Sequence, residues 1–242
     1  MLNYRQIFYQ NYYSSQLGRQ AADYSKKLID EAKQFEFEIL PLLKADKNAQ
    51  IVDLGCGIGS LVWLLQQEGF ENASGIDVSE EMVNVAAKLN IRNITKEDLI
   101  PFLKSKKGHF DVILGMDIIE HFTKDELIEL LQLSKDALKE GGQAIFRTPN
   151  MDAPFGSIFS SGDFTHENYL NSSSAKQVMM NLGFKNIKVR PSLMRVSGVI
   201  KELLRRILWF FILIYIKLIL FATGRSSSNL VLSPNLIIQV EK

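Results

Sequence analysis

The chain has 242 residues, a formal net charge of +1 from 28 basic and 27 acidic side chains, and a single cysteine. That length holds one sizeable α/β domain with a good core, and the even charge balance argues against a nucleic-acid binder, which would carry a basic excess. One cysteine excludes an intrachain disulfide framework and fits a reducing, cytoplasmic compartment.

The N-terminus, polar and aromatic from Leu2 to Ser15, lacks a basic region followed by an apolar one, so no secretory signal is read there. Residues 1–44 read as helical. Tyr4, Phe8 and Tyr12 form an i, i+4, i+8 aromatic stripe, and a second helix is expected from Ala21 to about Leu40, ended by Pro41. A strand over Gln50–Gly55 then runs into Gly55-Cys56-Gly57-Ile58-Gly59-Ser60 and an apolar-periodic helix, Leu61 to Gln67. A strand, a glycine turn and a helix bring backbone close to a nucleotide-like ligand. The dinucleotide fingerprint G-x-G-x-x-G would need glycine where Ser60 stands.

Ala73–Val78 reads as the second strand and carries Asp77, near the twenty-residue offset at which an acidic side chain reaches ribose hydroxyls. A carboxylate suits a diol because it accepts two hydrogen bonds. Ser79 caps the next helix, with Glu80 and Glu81 in its first turn and Met82 following. Ile91–Glu97 is the expected third strand, leading to Asp98-Leu99, and Phe110–Met116 the fourth. Directly after it comes Asp117-Ile118-Ile119-Glu120-His121-Phe122, at the carboxyl end of a strand, where open α/β sheets bind ligands. Thr123-x-x-Glu126 is a capping box for a helix expected to stop at Gly141-Gly142. Gln143–Arg147 is the fifth strand, closed by Thr148-Pro149-Asn150. An irregular loop, 151–170, holds Asp163-Phe164-Thr165-His166-Glu167-Asn168; a helix from Ser172 or Ser173, then strands over Phe184–Arg190 and Asn235–Glu241, complete the series. The alternation predicts a doubly wound sheet.

Residues 196–231 interrupt it. Ile207–Phe221 is apolar except for Lys217, and fifteen residues at 1.5 Å span roughly 22 Å, short of a ~30 Å hydrocarbon core. If the flanking strands share a sheet, the segment must also leave and return on one side. It therefore lies in a membrane interface, in a partner or dimer interface, or on the domain. Lys201, Arg205 and Arg206, with Trp209 and Tyr215, favour peripheral membrane contact through 199–224.

Of three histidines, His109 precedes the fourth strand at the wrong end of the sheet, whereas His121 and His166 follow strands at their carboxyl ends. Histidine is the natural base near neutral pH. Asp117, Glu120 and His121 fall at i, i+3, i+4 and would share a helical face; with His166 they can hold a divalent metal.

The Ile51–Ser60 stretch resembles motif I of the class I S-adenosylmethionine (SAM) methyltransferases, usually written VDLGCGxG. The resemblance covers about residues 45–190 and, weakly, the last strand. It implies a Rossmann-like doubly wound seven-stranded sheet with an antiparallel last strand, SAM as cofactor, and a lid formed by 1–44, through which Tyr9, Tyr12 or Tyr13 would touch ligand. The methyltransferase domain is then 45–195 with 232–242, and 196–231 an apolar helical insertion. Cofactor contacts implied are Asp53, Gly55, Cys56, Gly57, Gly59, Asp77, Val78, Met82, Asp98, Leu99 and Met116, with Met82 packing the adenine and Asp98 beside its amino group.

The Asp117-x-x-Glu120-His121 pattern is similar to metal-binding segments of ubiquinone-pathway O-methyltransferases and plant small-RNA 2′-O-methyltransferases, which carry Glu where Asp117 stands. Thr148-Pro149-Asn150, then Asp163-Phe164-Thr165-His166 and the basic, apolar helix, look most like bacterial methyltransferases of cell-surface polysaccharide (O-antigen or capsule) pathways. The expectation is O-methylation of a sugar or glycan hydroxyl, small or lipid-linked, at the inner face of the membrane, with His121, His166 and Glu120 catalytic. The alternatives are a quinone-type phenol acceptor and a non-catalytic SAM-fold scaffold paired with an active partner.

Overall fold

The computed structural model describes residues 4–9, 23–192, 195–196, 198–226 and 230–242. Its sheet has seven strands, β1 (Ile51–Leu54), β2 (Ala73–Asp77), β3 (Ile94–Lys96), β4 (Phe110–Met116), β5 (Leu138–Pro149), β6 (Lys185–Ser192) and β7 (Asn235–Glu241), in the order β3-β2-β1-β4-β5-β7-β6. Only β7 runs against its neighbours, pairing antiparallel with β5 and β6. β1 pairs with β2 on one side and β4 on the other. The chain winds outward in both directions from that pair, so the crevice for a ligand opens at the carboxyl ends of β1 and β4.

Helices cover both faces. On one lie α2 (Tyr24–Glu38), α3 (Ser60–Gln67) and α4 (Glu80–Lys88), packing Leu28, Phe35, Leu61, Leu65 and Met82 on Ile51, Val112 and Leu114. On the other lie α5 (Leu99–Lys104), α6 (Lys124–Ala137) and α8 (Ser172–Asn181), with Leu103, Leu130 and Met179 against Val52, Leu54 and Ile113. Along β1, Ile51 serves one core and Val52 and Leu54 the other, as strand alternation requires. Asp53 therefore faces the α2–α3 side.

Three boundaries differ from expectation. The second helix begins at Tyr24, where Asp23 caps it by accepting from the Lys26 N–H. β3 starts at Ile94, because Asn90 and Asn93 take left-handed backbone and make a turn of what read as strand. Helix α6 ends at Ala137 rather than at the glycines, which lie inside a twelve-residue β5. Gly141 has φ +75, and a Cβ on Gly142 would stand 3.0–3.1 Å from the carbonyls of Lys139 and Asp111, so the pair makes a strand irregularity that side chains would block.

Two elements stand outside this frame. α1 (Tyr4–Tyr9) docks over the loop between β5 and α8, which also holds the short α7 (Gly156–Ser160): Phe8 stacks on Phe164 at 5.3 Å and Arg5 forks onto Glu126 at 2.5 and 2.6 Å. Of the aromatic residues expected to touch ligand, Tyr12 and Tyr13 lie outside the described residues, and for Tyr9 only the backbone is described. α9 (Val199–Ala222) is a 24-residue helix with no buried residue. Among the described residues no helix is long and apolar enough to cross a membrane.

Candidate active site

β1 delivers the chain into three alternate left-handed glycines, Gly55, Gly57 and Gly59. Gly59, at φ +80, caps α3, and Gly57, at φ +54, donates its N–H to Asp77 Oδ2 at 2.8 Å. Asp77 Oδ1 accepts from Ser79 at 2.8 Å, so this carboxylate ties the glycine loop to the start of α4. A Cβ on Gly57 would meet nothing within 4 Å: the loop leaves an open cradle there. Cys56 is buried, and a Cβ on Gly75 would be 2.7 Å from its sulfur; Gly75 is small so that Cys56 can pack. Burial pushes the Cys56 thiol well up, which removes it as a nucleophile.

Beside the loop, Asp53 is 3% exposed and its Oδ1 has no hydrogen-bond partner. Burial, then the charge of Asp77, pushes its carboxyl up to about 8. Asp77 is itself raised by burial, against the pull of the Ser79 and Gly57 N–H groups. An orphaned buried carboxylate next to an empty backbone cradle calls for a cation, because an unpaired charge in such a place is costly. The ammonium and sulfonium of a bound SAM fit that pair of features. The other expected contacts divide. Met82 and Met116 are buried on the α2–α4 face, and Val78 is exposed. Leu99 is buried in the opposite core, and the Asp98 carboxylate caps α5 by accepting from Ile100 at 3.1 Å.

After β4, Asp117 takes φ +54 and the chain makes a single 3₁₀ turn over Ile119–His121. That break separates Asp117 from the residues it was expected to join. Its carboxylate receives both Nε and a terminal nitrogen of Arg147. Arg147 also donates to buried Glu38 at 3.3 Å, and Ser192 donates to the other Glu38 oxygen at 2.6 Å. Sequence reading missed this Glu38–Arg147–Asp117 group. The signal was there: Glu38 falls on the stripe of Leu28, Ala32 and Phe35, the buried side of α2.

The turn instead brings Glu120, His121 and His166 together, with candidate ligand atoms all within 4.8 Å of one another. Both rings are oriented by the loop after β5. His121 Nδ1 lies 2.9 Å from Thr165 Oγ1, and His166 Nδ1 lies 2.8 Å from the Ser160 carbonyl. The rings meet edge to face, 4.8 Å between centroids. Glu120 is 2% exposed and accepts from Thr148 at 3.1 Å. Its backbone carbonyl accepts from Glu167 and Asn168, which pins the loop to the turn. Burial, then the nearby Asp117 charge, raises Glu120 well above the usual carboxylate range. Burial, then His166, lowers His121 to about 4. A neutral imidazole with so low a pKa is a weak proton acceptor and a sound metal ligand. The donor set of one carboxylate and two imidazoles fits a divalent cation, whose charge would favour the ionised Glu120. Asn150 is structural: its amide donates to the carbonyls of Val231 and Ser233 and holds the approach to β7.

The methyltransferase-domain family matches residues 21–189, more than half of the chain. A ubiquinone biosynthesis O-methyltransferase of Pelagibacter ubique is 33% identical over 118 residues, 48% of this chain and 48% of that protein. A tRNA U34 carboxymethyltransferase of Idiomarina loihiensis is 26% identical over 170 residues, 62% of this chain and 50% of its own. The chain thus spans about half the length of these curated relatives. A solved SAM-dependent methyltransferase from Archaeoglobus fulgidus superposes with a TM-score of 0.67 at 22% identity, covering 89% of this chain and 94% of that one, and shows the shared fold.

Proposed function

The chain belongs to the methyltransferase-domain family, and from that membership we propose that it transfers the methyl group of SAM to a hydroxyl of a sugar or glycan, small or lipid-linked, next to a membrane surface. The observation that carries the cofactor half is the orphaned Asp53 Oδ1 beside the Gly57 cradle. SAM supplies an electrophilic methyl on a sulfonium that is already a good leaving group. What remains for the chain is alignment and disposal of the acceptor proton. The glycine loop and Asp77 seat the nucleoside, and Asp53 faces the positive charge. Arg147 reaches both halves of the cleft electrostatically, since its charge partly opposes the rise of the buried Asp53 and Glu120 carboxyls.

On the acceptor side, Glu120, His121 and His166 would hold a divalent cation, which supplies polarisation of the acceptor hydroxyl. With His121 near 4, its imidazole alone is a poor base for an alcohol. The test is methyl transfer by His121→Ala and His166→Ala proteins, with and without chelator. Chelation should abolish activity in the native protein, and added manganese or zinc restore it. Activity untouched by chelator would move the proton to an imidazole instead.

The glycan acceptor rests on the sequence pattern of the Thr148–Asn150 turn, the Asp163–His166 segment and the apolar helix. A quinone-type phenol is the second reading, and the ubiquinone O-methyltransferase relative favours it. A tRNA acceptor fits poorly with a net charge of +1. Mass spectrometry of surface glycans from a deletion strain separates the two main readings: a loss of ~14 Da per repeat, the difference between methyl and hydrogen at one oxygen, supports the first.

A further inference from the structure

We propose that Asp163 and Thr165 are positioning residues that lock His121 in its Nδ1–H tautomer, so that the lone pair His121 offers to the Glu120–His166 cluster is on Nε2. Asp163 Oδ1 accepts twice from Thr165, from the backbone N–H at 2.9 Å and from the hydroxyl at 2.7 Å. A hydroxyl by itself can donate or accept and would leave a histidine undecided. A carboxylate only accepts, so it takes the Thr165 hydrogen and turns Oγ1 into an acceptor toward the ring 2.9 Å away. The ring nitrogen facing it then carries a hydrogen. For His166 the Ser160 carbonyl imposes the same tautomer by backbone alone. Two imidazoles are thereby set alike by one loop, each hydrogen on the nitrogen turned to that loop.

What the Nε2 lone pair is used for rests on the function proposed above; the tautomer does not. The test is ¹⁵N–¹H correlation of ring nitrogens with carbon-bound ring protons in metal-free, ¹⁵N-histidine protein, the His121 signals assigned through His121→Ala. Wild type should show His121 as Nδ1–H. Thr165→Ser and Asp163→Asn, which keep a hydroxyl and an acceptor oxygen, should retain it. Asp163→Ala frees the hydroxyl to donate and should move His121 toward Nε2–H, and Thr165→Val should give a mixture. Methyl transfer should fall about 10–100-fold in the last two with SAM affinity unchanged, and recover in Thr165→Ser. An Nε2–H or charged His121 in wild type, or a tautomer or turnover indifferent to Asp163→Ala and Thr165→Val, overturns the assignment. A tautomer that follows these substitutions in a protein inactive on every hydroxyl acceptor supports it and removes the acceptor reading instead.

Discussion

Asp53 holds a proton at a pH where an ordinary aspartate has none. Its carboxyl rises from 3.8 to about 8 on folding, so its contribution to stability is complete below about pH 3.8 and is lost as pH climbs toward 8. A cation in the cradle reverses that preference. Binding of SAM at pH 7 should therefore expel a proton, seen as a binding enthalpy that varies with the ionisation enthalpy of the buffer. In Asp53→Asn that variation should largely vanish, and the metal- and cofactor-free protein should lose less stability between pH 5 and 8. Gly57→Ala tests the cradle itself. A left-handed alanine costs about 1–2 kcal/mol, and its methyl enters the space assigned to cofactor. SAM affinity should drop at least tenfold, ~1.4 kcal/mol, while circular dichroism at 25 °C stays native.

At the scale of elements, α1 sits beside the Glu120–His121–His166 cluster, the side proposed for the acceptor. Arg5 joins Glu126 and donates to the His121 carbonyl at 3.2 Å, and Tyr4 donates to Glu167. The ion pair is partly exposed, 23% and 38%, and its direct worth to stability is about 0–1 kcal/mol. Arg5→Ala should thus leave the melting temperature within a few degrees and SAM affinity unchanged, yet raise KM for the acceptor several-fold; equal shifts in both affinities would count against a lid on the acceptor side. The Tyr4–Phe8 part of the aromatic stripe and the Thr123–Glu126 capping box were legible because helical spacing and capping chemistry are local. So were the glycine loop and all seven strands. The Asp117 metal position was not, since helical periodicity was assumed across a residue whose left-handed backbone breaks it. Thr165 and Asp163 were visible only as members of an irregular loop and of the Asp163–His166 pattern, with no role for either. Their roles come from a tertiary contact 44 residues away in sequence, which no local pattern encodes.

For the whole molecule, α9, which buries none of its residues among those described, is the strongest constraint. β6 and β7 are adjacent, so both ends of the 193–234 segment return to the same sheet edge and the helix cannot cross a bilayer once. Phe210, Phe211, Tyr215, Leu218 and Phe221 are 59–83% exposed and share one side of the helix, an arc of roughly 140° at 3.6 residues per turn, with Lys201, Arg205 and Arg206 at one end. The proposed membrane contact would bury that face at the acyl boundary, with the basic residues toward anionic headgroups. Flotation with anionic liposomes should carry the intact protein and neither a 199–224 deletion nor a Leu208→Glu/Phe211→Glu variant, whose exposed sites leave the fold intact. Binding that persists in both would place the membrane contact elsewhere, and no binding by the intact protein would remove it.

The account stands on a sulfonium nucleoside occupying the loop between β1 and α3. Calorimetric titration of the purified chain with S-adenosylhomocysteine, SAM and NAD in turn tests this directly. One-to-one binding of the first two, weakened by Gly57→Ala, is the predicted result; no heat with either while NAD binds would contradict it.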